Sequence, residues 1–148
     1  MATTRVEVVS PTGVLFQGDA EMVVTRSVDG EIAFLADHVA LLAALDSCVT
    51  RIVDPGGAET RIALGGGIVE VRDNLVSILA ADAALGADID VELARSELAS
   101  AEQRARDAGG PDDLEAAEAA VRRAQVRLEA AGAAPAPGAA PAPGAPAS

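Results

Sequence analysis

The residue types that could carry out chemistry are few in this chain and lie far apart in the sequence. The only histidine, His38, lies in the largely apolar stretch "DGEIAFLADHVALLAAL" at positions 29–45, and the only cysteine is Cys48. Because zinc and iron sites of the imidazole type need clustered histidines and carboxylates, one histidine nearly excludes them. With no second histidine and no lysine to activate its thiol, Cys48 is expected to be a small buried hydrophobe.

A run of three glycines in "LGGGIVEV" at positions 64–71 is the one candidate for a phosphate-binding loop. Such a loop needs a lysine and a Ser or Thr at the start of a helix, whereas a β-branched strand follows here. The glycines are therefore expected to allow a tight bend or a close backbone approach between sheets. The neighbouring carboxylates Asp88 and Asp90 are explained as residues at a helix start, facing the positive end of the dipole. No catalytic constellation is found.

Three arginines near the C-terminal end form the clearest charge pattern. Arg123 and Arg127 are four residues apart and lie on one helix face, with Arg122 beside them. One interpretation is a solvated face on which Glu118 pairs with Arg122. The other is a basic edge that receives an acidic partner or a phosphate. The sequence leaves both open.

The composition limits the remaining classes of function. The chain has 148 residues, of which 50% are hydrophobic, enough for one modest core. A net charge of −12 disfavours binding to nucleic-acid backbones, and the absence of Trp and Tyr removes the rings on which single strands stack. A single cysteine allows no internal disulfide. The start "MATTRVEVV" lacks the pattern of a signal peptide, and no segment is long and apolar enough to cross a bilayer.

From about position 5 to position 83 the sequence predicts strands. The segments "RVEVVS", "EMVVTRSV", "CVTRIV", "ETRIAL", "GIVEVR" and "NLVSILA" alternate or are rich in β-branched residues. The sequences "SPTG", "VDG", "DPGG" and "RDN" place turn residues between them. Short strands at this spacing indicate an antiparallel sandwich or barrel.

After Gly86 the period changes to that of two helices. Apolar residues recur every three or four positions, first at Val91, Ala94, Leu98, Ala101, Ala105 and Ala108, then at Leu114, Ala117, Val121, Ala124, Leu128 and Ala131. Asp90 is a good N-cap for the first helix, and Asp112 with Glu115 resembles a capping box for the second. The break at "GGP" (109–111) between helices of similar length predicts an antiparallel hairpin.

The predicted contact between the two helices consists mostly of alanine. Because each buried methylene contributes roughly 0.8 kcal/mol, alanines give well under half of what leucines would. This favours helices that are individually persistent and weakly held together, as in an appendage that opens. The alternative is that alanine simply permits close packing, and the pattern alone does not decide between them.

The last segment, "AAPAPGAAPAPGAPAS", is a Pro/Ala/Gly repeat that is expected to be disordered or partly extended. The sequence thus predicts an α+β chain in three parts. Residues 1–86 form an antiparallel β-sandwich, residues 87–132 an antiparallel two-helix hairpin, and residues 133–148 a low-complexity tail.

Four blocks of sequence, in order from about position 6 to position 128, resemble the epsilon subunit family of bacterial F-type ATP synthases. "VEVVSPTGVLFQGDAEMVV" is similar to the family's opening strands, and "DGEIAFLADHVALLAAL" to its Gly-Glu, Gly-His, Leu-Leu segment. "LGGGIVEVRDNLVSILAADA" resembles its glycine pair and Leu-Ala-Asp run, and "DID" followed by "RRAQVRL" resembles its hairpin. The resemblance is specific because four blocks occur in order.

The resemblance implies a non-catalytic central-stalk subunit that couples the gamma subunit to the ring of membrane c subunits, without a cofactor. It assigns the contact with gamma and the c ring to Glu31 and His38. Asp37 replaces the family's usual glycine, so the turn geometry is expected to differ. Judged without the resemblance, a histidine in an edge loop is more simply a surface residue.

In the family the hairpin is a mobile element that either packs on the sandwich or extends into the catalytic head and blocks ATP hydrolysis. The resemblance implies that Arg122, Arg123 and Arg127 meet acidic residues of the alpha and beta subunits. Some members bind regulatory ATP at the hairpin. Of that pattern Asp90, Arg123 and Arg127 match, whereas Leu93 and Ser100 replace arginines and Ala84 replaces a glutamate. Loss of these donors predicts weak or absent ATP binding.

The resemblance also implies a peripheral place on the cytoplasmic face of the bacterial membrane, reached only through the complex and without nucleic acid. Two other classes remain. One is a free-standing β-sandwich binding module whose hairpin dimerises it, and the other is an enzyme, which is disfavoured because acid, base and metal residues are missing.

Overall fold

A computed structural model describes residues 2–132. The tail predicted for residues 133–148 lies outside the described residues. The elements are eight strands followed by a short 3-10 helix, Gly86–Asp88, and two α-helices. The strands are β1 Thr4–Ser10, β2 Gly13–Ala20, β3 Met22–Ser27, β4 Gly30–Phe34, β5 Leu41–Val53, β6 Glu59–Arg72, β7 Leu75–Ala80 and β8 Ala83–Leu85. The helices are α1 Val91–Arg106 and α2 Pro111–Ala130.

The strands form a sandwich around one core, as predicted. Their hydrogen-bonded order is β2-β1-β7-β6-β5-β3-β4, with β8 also paired to β6. The long strands β5 and β6 pair along most of their lengths. β5 also pairs with β3, whereas β6 pairs with β8 in its first half and with β7 in its second half. The pairs are antiparallel except for β1 and β7, which run parallel. The largest side chains of the core are fully buried and come from β1, β3, β4, β5, β6 and β7: Val6, Val8, Val23, Phe34, Ile52, Ile62, Leu64, Val69, Val71, Val76 and Ile78.

The three glycines lie inside β6 and join two segments that the sequence predicted as separate strands. Gly66 and Gly67 have φ angles of 91° and 151°, which L side chains rarely adopt. A Cβ on Gly67 would overlap the carbonyl oxygen of Leu79 on β7. The backbones do approach closely at Gly67, although between the neighbouring strands β6 and β7 and not between two sheets.

Capping explains where the helices begin. The Asp90 carboxylate accepts a hydrogen bond from the backbone N–H of Leu93 at 3.1 Å, so its prediction as the N-cap of α1 is confirmed. The capping box predicted at Asp112 is wrong, because α2 begins at Pro111 with Gly110 as its N-cap. The fixed φ of proline is already helical, which starts the helix before Asp112 is reached.

The helical hairpin packs both on itself and on the sandwich. The contact between the two helices centres on Ala94, Leu98, Ala124 and Leu128. Ala101 and Ala117 are also buried. At its end, the backbone of Ala130 lies directly against the buried Gly86, so close that a Cβ there would overlap the Ala130 carbonyl oxygen. α2 also contacts β5 and β6. The hairpin is therefore in a compact position against the sandwich.

Candidate functional site

His38 lies in the connection between β4 and β5, which we call the His38 loop (residues 35–39). Its ring packs edge-on against Phe34, with the ring centres 5.0 Å apart and the planes at 86°. Its Nδ1 lies 2.8 Å from the carbonyl oxygen of Val39. Leu35 and Val39 on either side are 57% and 76% exposed. The loop thus holds a fixed imidazole between two exposed apolar side chains, an arrangement suited to contact with another protein.

The structure does not bring Glu31 and His38 together. Glu31 lies exposed near the start of β4, opposite Arg26 on β3, whereas the His38 ring packs on Phe34 at the other end of the strand. Phe34 is three positions after Glu31 along the strand, which corresponds to about 10 Å. The two residues could contact one extended partner surface, and they do not form a compact site.

Asn74 holds the His38 loop from the neighbouring turn between β6 and β7. Its side-chain Oδ1 accepts a hydrogen bond from the backbone N–H of Asp37 at 2.8 Å. Asp37 has a φ of 59°, the left-handed conformation that glycine adopts without strain. The aspartate at this position therefore keeps a glycine-like turn. The role of Asn74 was not predicted, because no local sequence pattern indicates a contact between residues that are 37 positions apart.

A row of exposed or half-buried apolar side chains crosses the outer face of the sheet, and it too was not predicted from the sequence. Each residue of the row is the cross-strand partner of the next, on five neighbouring strands in the order β2, β1, β7, β6 and β5. The row, here called the apolar row, consists of Val14, Val9, Leu79, Ile68 and Ala44. Val14 and Leu79 are each 57% exposed and Ile68 is 48% exposed. The strand pattern could have shown that each residue faces outward, but only the register shows that they are contiguous.

Carboxylates lie beside the apolar row. Glu7 and Glu70 are both in register with Ser77 on β7, two residues along their strands from Val9 and Ile68. Contiguous exposed apolar surface with charge at its rim is typical of protein interfaces. The face would suit a partner with bulky apolar side chains and neighbouring arginines or lysines.

The three hairpin arginines have different surroundings. Arg122 and Arg123 are exposed, and within residues 2–132 neither makes an ion pair. The pair between Glu118 and Arg122, which was one of the two interpretations of the sequence, is thus not formed there. Arg127 is half-buried, and its Nη2 lies 3.4 Å from Oδ2 of Asp82 between β7 and β8. Asp82 also eluded sequence analysis.

The positions of the ATP pattern are partly engaged within the chain. Asp90 caps α1, and Arg127 contacts Asp82. At the positions where the pattern departs from the family, Leu93 is 55% exposed on α1, Ala84 is half-buried on β8 and Ser100 is exposed. Two of the three matching residues therefore already have protein partners in the compact state.

The structure is thus a β-sandwich with a docked helical hairpin, and it carries an exposed apolar row and a hydrogen-bonded edge loop that suit contact with other proteins. Two family models match the chain. The "ATP synthase, Delta/Epsilon chain, beta-sandwich domain" matches residues 3–86, and the "ATP synthase, Delta/Epsilon chain, long alpha-helix domain" matches residues 87–132. The chain belongs to the delta/epsilon chain family of ATP synthases.

Bacterial relatives support this assignment. The chain is 42% identical over 133 residues to the ATP synthase epsilon chain of Halalkalibacterium halodurans, covering 89% of this chain and 99% of that one. It is 41% identical over 131 residues to the epsilon chain of Shouchella clausii, covering 88% and 96%. Since the alignments span nearly the whole of these relatives, the match extends over both the sandwich and the hairpin.

Among solved structures, the chain resembles one from the Euglena gracilis mitochondrial ATP synthase, solved as OSCP, F1 and c ring. The TM-score is 0.76 at 22% identity, covering 88% of this chain and 82% of the other. A chain from the Tetrahymena thermophila mitochondrial central stalk and c ring matches with a TM-score of 0.53 at 16% identity, covering 85% and 94%. At these identities the likeness shows the fold. No described helix is long and apolar enough to span a membrane.

Proposed function

We propose that this chain is a rotor subunit without catalytic activity of its own, which joins the gamma subunit to the c ring on the cytoplasmic face of a bacterial membrane. Residues 1–86 serve as the binding domain and residues 87–132 as the regulatory one. The apolar row is the observation that carries the proposal, because it gives an epsilon-type sandwich a ready face for a large partner. Family membership supports the choice of gamma as that partner.

The edge of the sandwich is the proposed contact with the c ring. Glu31 and the His38 loop lie along β4, an edge strand that pairs only with β3 within the described residues. Both Leu35 and Val39 are exposed there, so the loop offers apolar side chains as well as an imidazole. Together with Glu31, these residues form a mixed polar and apolar edge about 10 Å or more long.

The hairpin is the proposed regulatory element. Arg122 and Arg123 are exposed and have no ion-pair partner within residues 2–132, which leaves them available to acidic residues of the alpha and beta subunits. Arg127 joins them only if the hairpin leaves the sandwich. Extension of the hairpin would then inhibit ATP hydrolysis.

Binding to purified gamma tests the proposal. Ile68→Asp and Leu79→Asp place a charge in the middle of the apolar row and should weaken binding at least about thirtyfold, as loss of an interface hot spot does. Leu93→Asp is the matched control, since Leu93 is similarly exposed but lies on α1. Calorimetric affinities equal for all three variants and the unmodified chain would contradict the proposed gamma face. A stable dimer that ignores gamma would favour the free-standing binding module.

A further inference from the structure

Asn74 forms hydrogen bonds to two other segments of the chain, which is more than its own turn requires. Its Oδ1 accepts from the N–H of Asp37 at 2.8 Å, and its Nδ2 donates to the carbonyl oxygen of Thr3 at 2.9 Å. Its backbone carbonyl accepts from the Thr4 hydroxyl at 2.9 Å and from the Arg5 N–H at 3.0 Å. One residue therefore ties the N-terminal strand and the His38 loop to the turn between β6 and β7.

The turn itself does not need an asparagine side chain. Asp73 and Asn74 both have left-handed φ angles, 52° and 59°, and glycine would adopt either with less strain. What glycine could not supply at position 74 is the pair of side-chain hydrogen bonds. The asparagine side chain at position 74 is therefore explained by its hydrogen bonds to Asp37 and Thr3, and not by the conformation of its own turn.

What Asn74 holds is the proposed partner-binding edge. Its bond to Asp37 fixes the residue directly before His38, and the His38 N–H in turn bonds to the Leu35 carbonyl oxygen at 3.3 Å. Without this anchor, Asp37 would lose the only hydrogen bond recorded for its N–H in the described structure. The loop would then sample other conformations, and the exposed side chains of Leu35 and Val39 would move with it.

We propose that Asn74 is a positioning residue for the contact with the c ring: it holds the His38 loop in the binding conformation before the partner arrives. This inference rests on the proposed function. Holding a loop in its bound shape raises affinity by reducing the entropy lost on association. The apolar row lies on the face of the sheet, and its residue on β1, Val9, is at the opposite end of that strand from the Thr3 contact of Asn74. Binding to gamma alone should therefore be insensitive to loss of both side-chain hydrogen bonds.

Three variants isolate the hydrogen bonds of Asn74. Asn74→Gly keeps the left-handed backbone and removes both side-chain bonds. Asn74→Asp keeps an acceptor for the Asp37 N–H and should retain most of the affinity for the complex of gamma with the c ring. Asp73→Gly is the matched control, because it changes the same turn at a side chain that is 92% exposed.

Two measurements apply to the intact chain. The first is NMR of the Asp37 amide and of the His38 imidazole, whose signals are unambiguous because the chain has one histidine. In Asn74→Gly, Asp37 should exchange its amide hydrogen at least about tenfold faster and the His38 signal should shift or broaden. The second is affinity for gamma alone and for a complex of gamma with the c ring.

The expected result is that Asn74→Gly weakens binding to the complex of gamma and c ring about tenfold, with binding to gamma alone unchanged and Asp73→Gly like the unmodified chain. Equal affinities of Asn74→Gly and Asp73→Gly for the complex would overturn the inference and leave the proposed function standing. Equal losses for gamma alone and for the complex would also overturn it, since they indicate general damage. If the unmodified chain binds the complex no better than gamma alone, the proposed contact with the c ring fails together with the inference.

Discussion

Arg127 on α2 contacts Asp82 between β7 and β8, with 3.4 Å between Nη2 and Oδ2. This is the only ion pair that joins the hairpin to the sandwich within residues 2–132. The same arginine is one of three proposed to meet the catalytic head. If the hairpin extends as proposed, Arg127 must first leave Asp82, so this contact should favour the compact form.

Replacing Asp82 by Asn should loosen the hairpin without unfolding the sandwich. Both side chains are partly exposed, so the ion pair contributes less than about 1 kcal/mol, and amide exchange in α2 should rise by up to about fivefold. Hydrogen exchange with mass spectrometry measures this directly. Arg123→Gln is the control, because Arg123 is exposed and forms no ion pair within residues 2–132. Equal exchange in the two variants would show that the pair does not hold the hairpin.

Replacing Gly86 by Ala should disturb the docking of the hairpin more strongly. The new methyl group would overlap the carbonyl oxygen of Ala130, which belongs to backbone and cannot rotate away. Overpacking of this kind destabilises by about 1–3 kcal/mol, visible as a lower thermal midpoint and as proteolysis of the hairpin. Gly110→Ala is the matched control, since its Cβ would meet open space in an extended backbone. A Gly86→Ala protein as stable as Gly110→Ala would refute the close contact.

The buried hydroxyls of Thr25 and Thr50 should depend on each other. Their Oγ1 atoms are 2.8 Å apart and both residues are at most 1% exposed. Thr50→Val leaves the Thr25 hydroxyl with only the weak partner Cys48 at 3.5 Å and should cost about 1–3 kcal/mol of unfolding free energy. The double variant, with valine at both positions, should recover part of that loss in urea unfolding. Additive losses would mean that the hydroxyls are not coupled.

ATP should bind weakly or not at all. Leu93, Ser100 and Ala84 remove two cationic donors and a carboxylate from the family's pattern, and Arg127 is already paired with Asp82. Calorimetric titration with millimolar ATP should give no saturable signal. The triple variant Leu93→Arg, Ser100→Arg, Ala84→Glu serves as the matched comparison and should gain binding. Saturable binding by the unmodified chain would contradict the prediction.

Local sequence patterns predicted six strand segments and both helices, but not the contacts between residues that lie far apart in the sequence. β-branched alternation predicted β1, β3 and β7, and the period of three to four predicted both helices with Asp90 as a cap. The segments of β6 were predicted as two strands, because glycine weakens strand patterns although here it permits close approach. Pro111 moved the start of α2 because its fixed φ outweighs a capping residue one position later.

The only residues of the candidate site that could be predicted from the sequence are those that match a motif of the family. Glu31, His38 and the hairpin arginines came from the family resemblance, and their roles stay predictions. Ile68 and Leu79 face outward by simple alternation, yet their adjacency depends on strand register. Asn74 and Asp82 act across 37 and 45 residues of sequence, where no local signal exists.

The central claim is that this chain is part of the rotor of an ATP synthase. The most direct test is to tag the chain in its native host, solubilise the membranes gently, and quantify what copurifies by mass spectrometry. The alpha, beta, gamma and c subunits should copurify in near-stoichiometric amounts, and they should be lost with a tagged variant that carries Ile68→Asp and Leu79→Asp. Recovery of the unmodified chain alone, or only with further copies of itself, would show that it is not a rotor subunit.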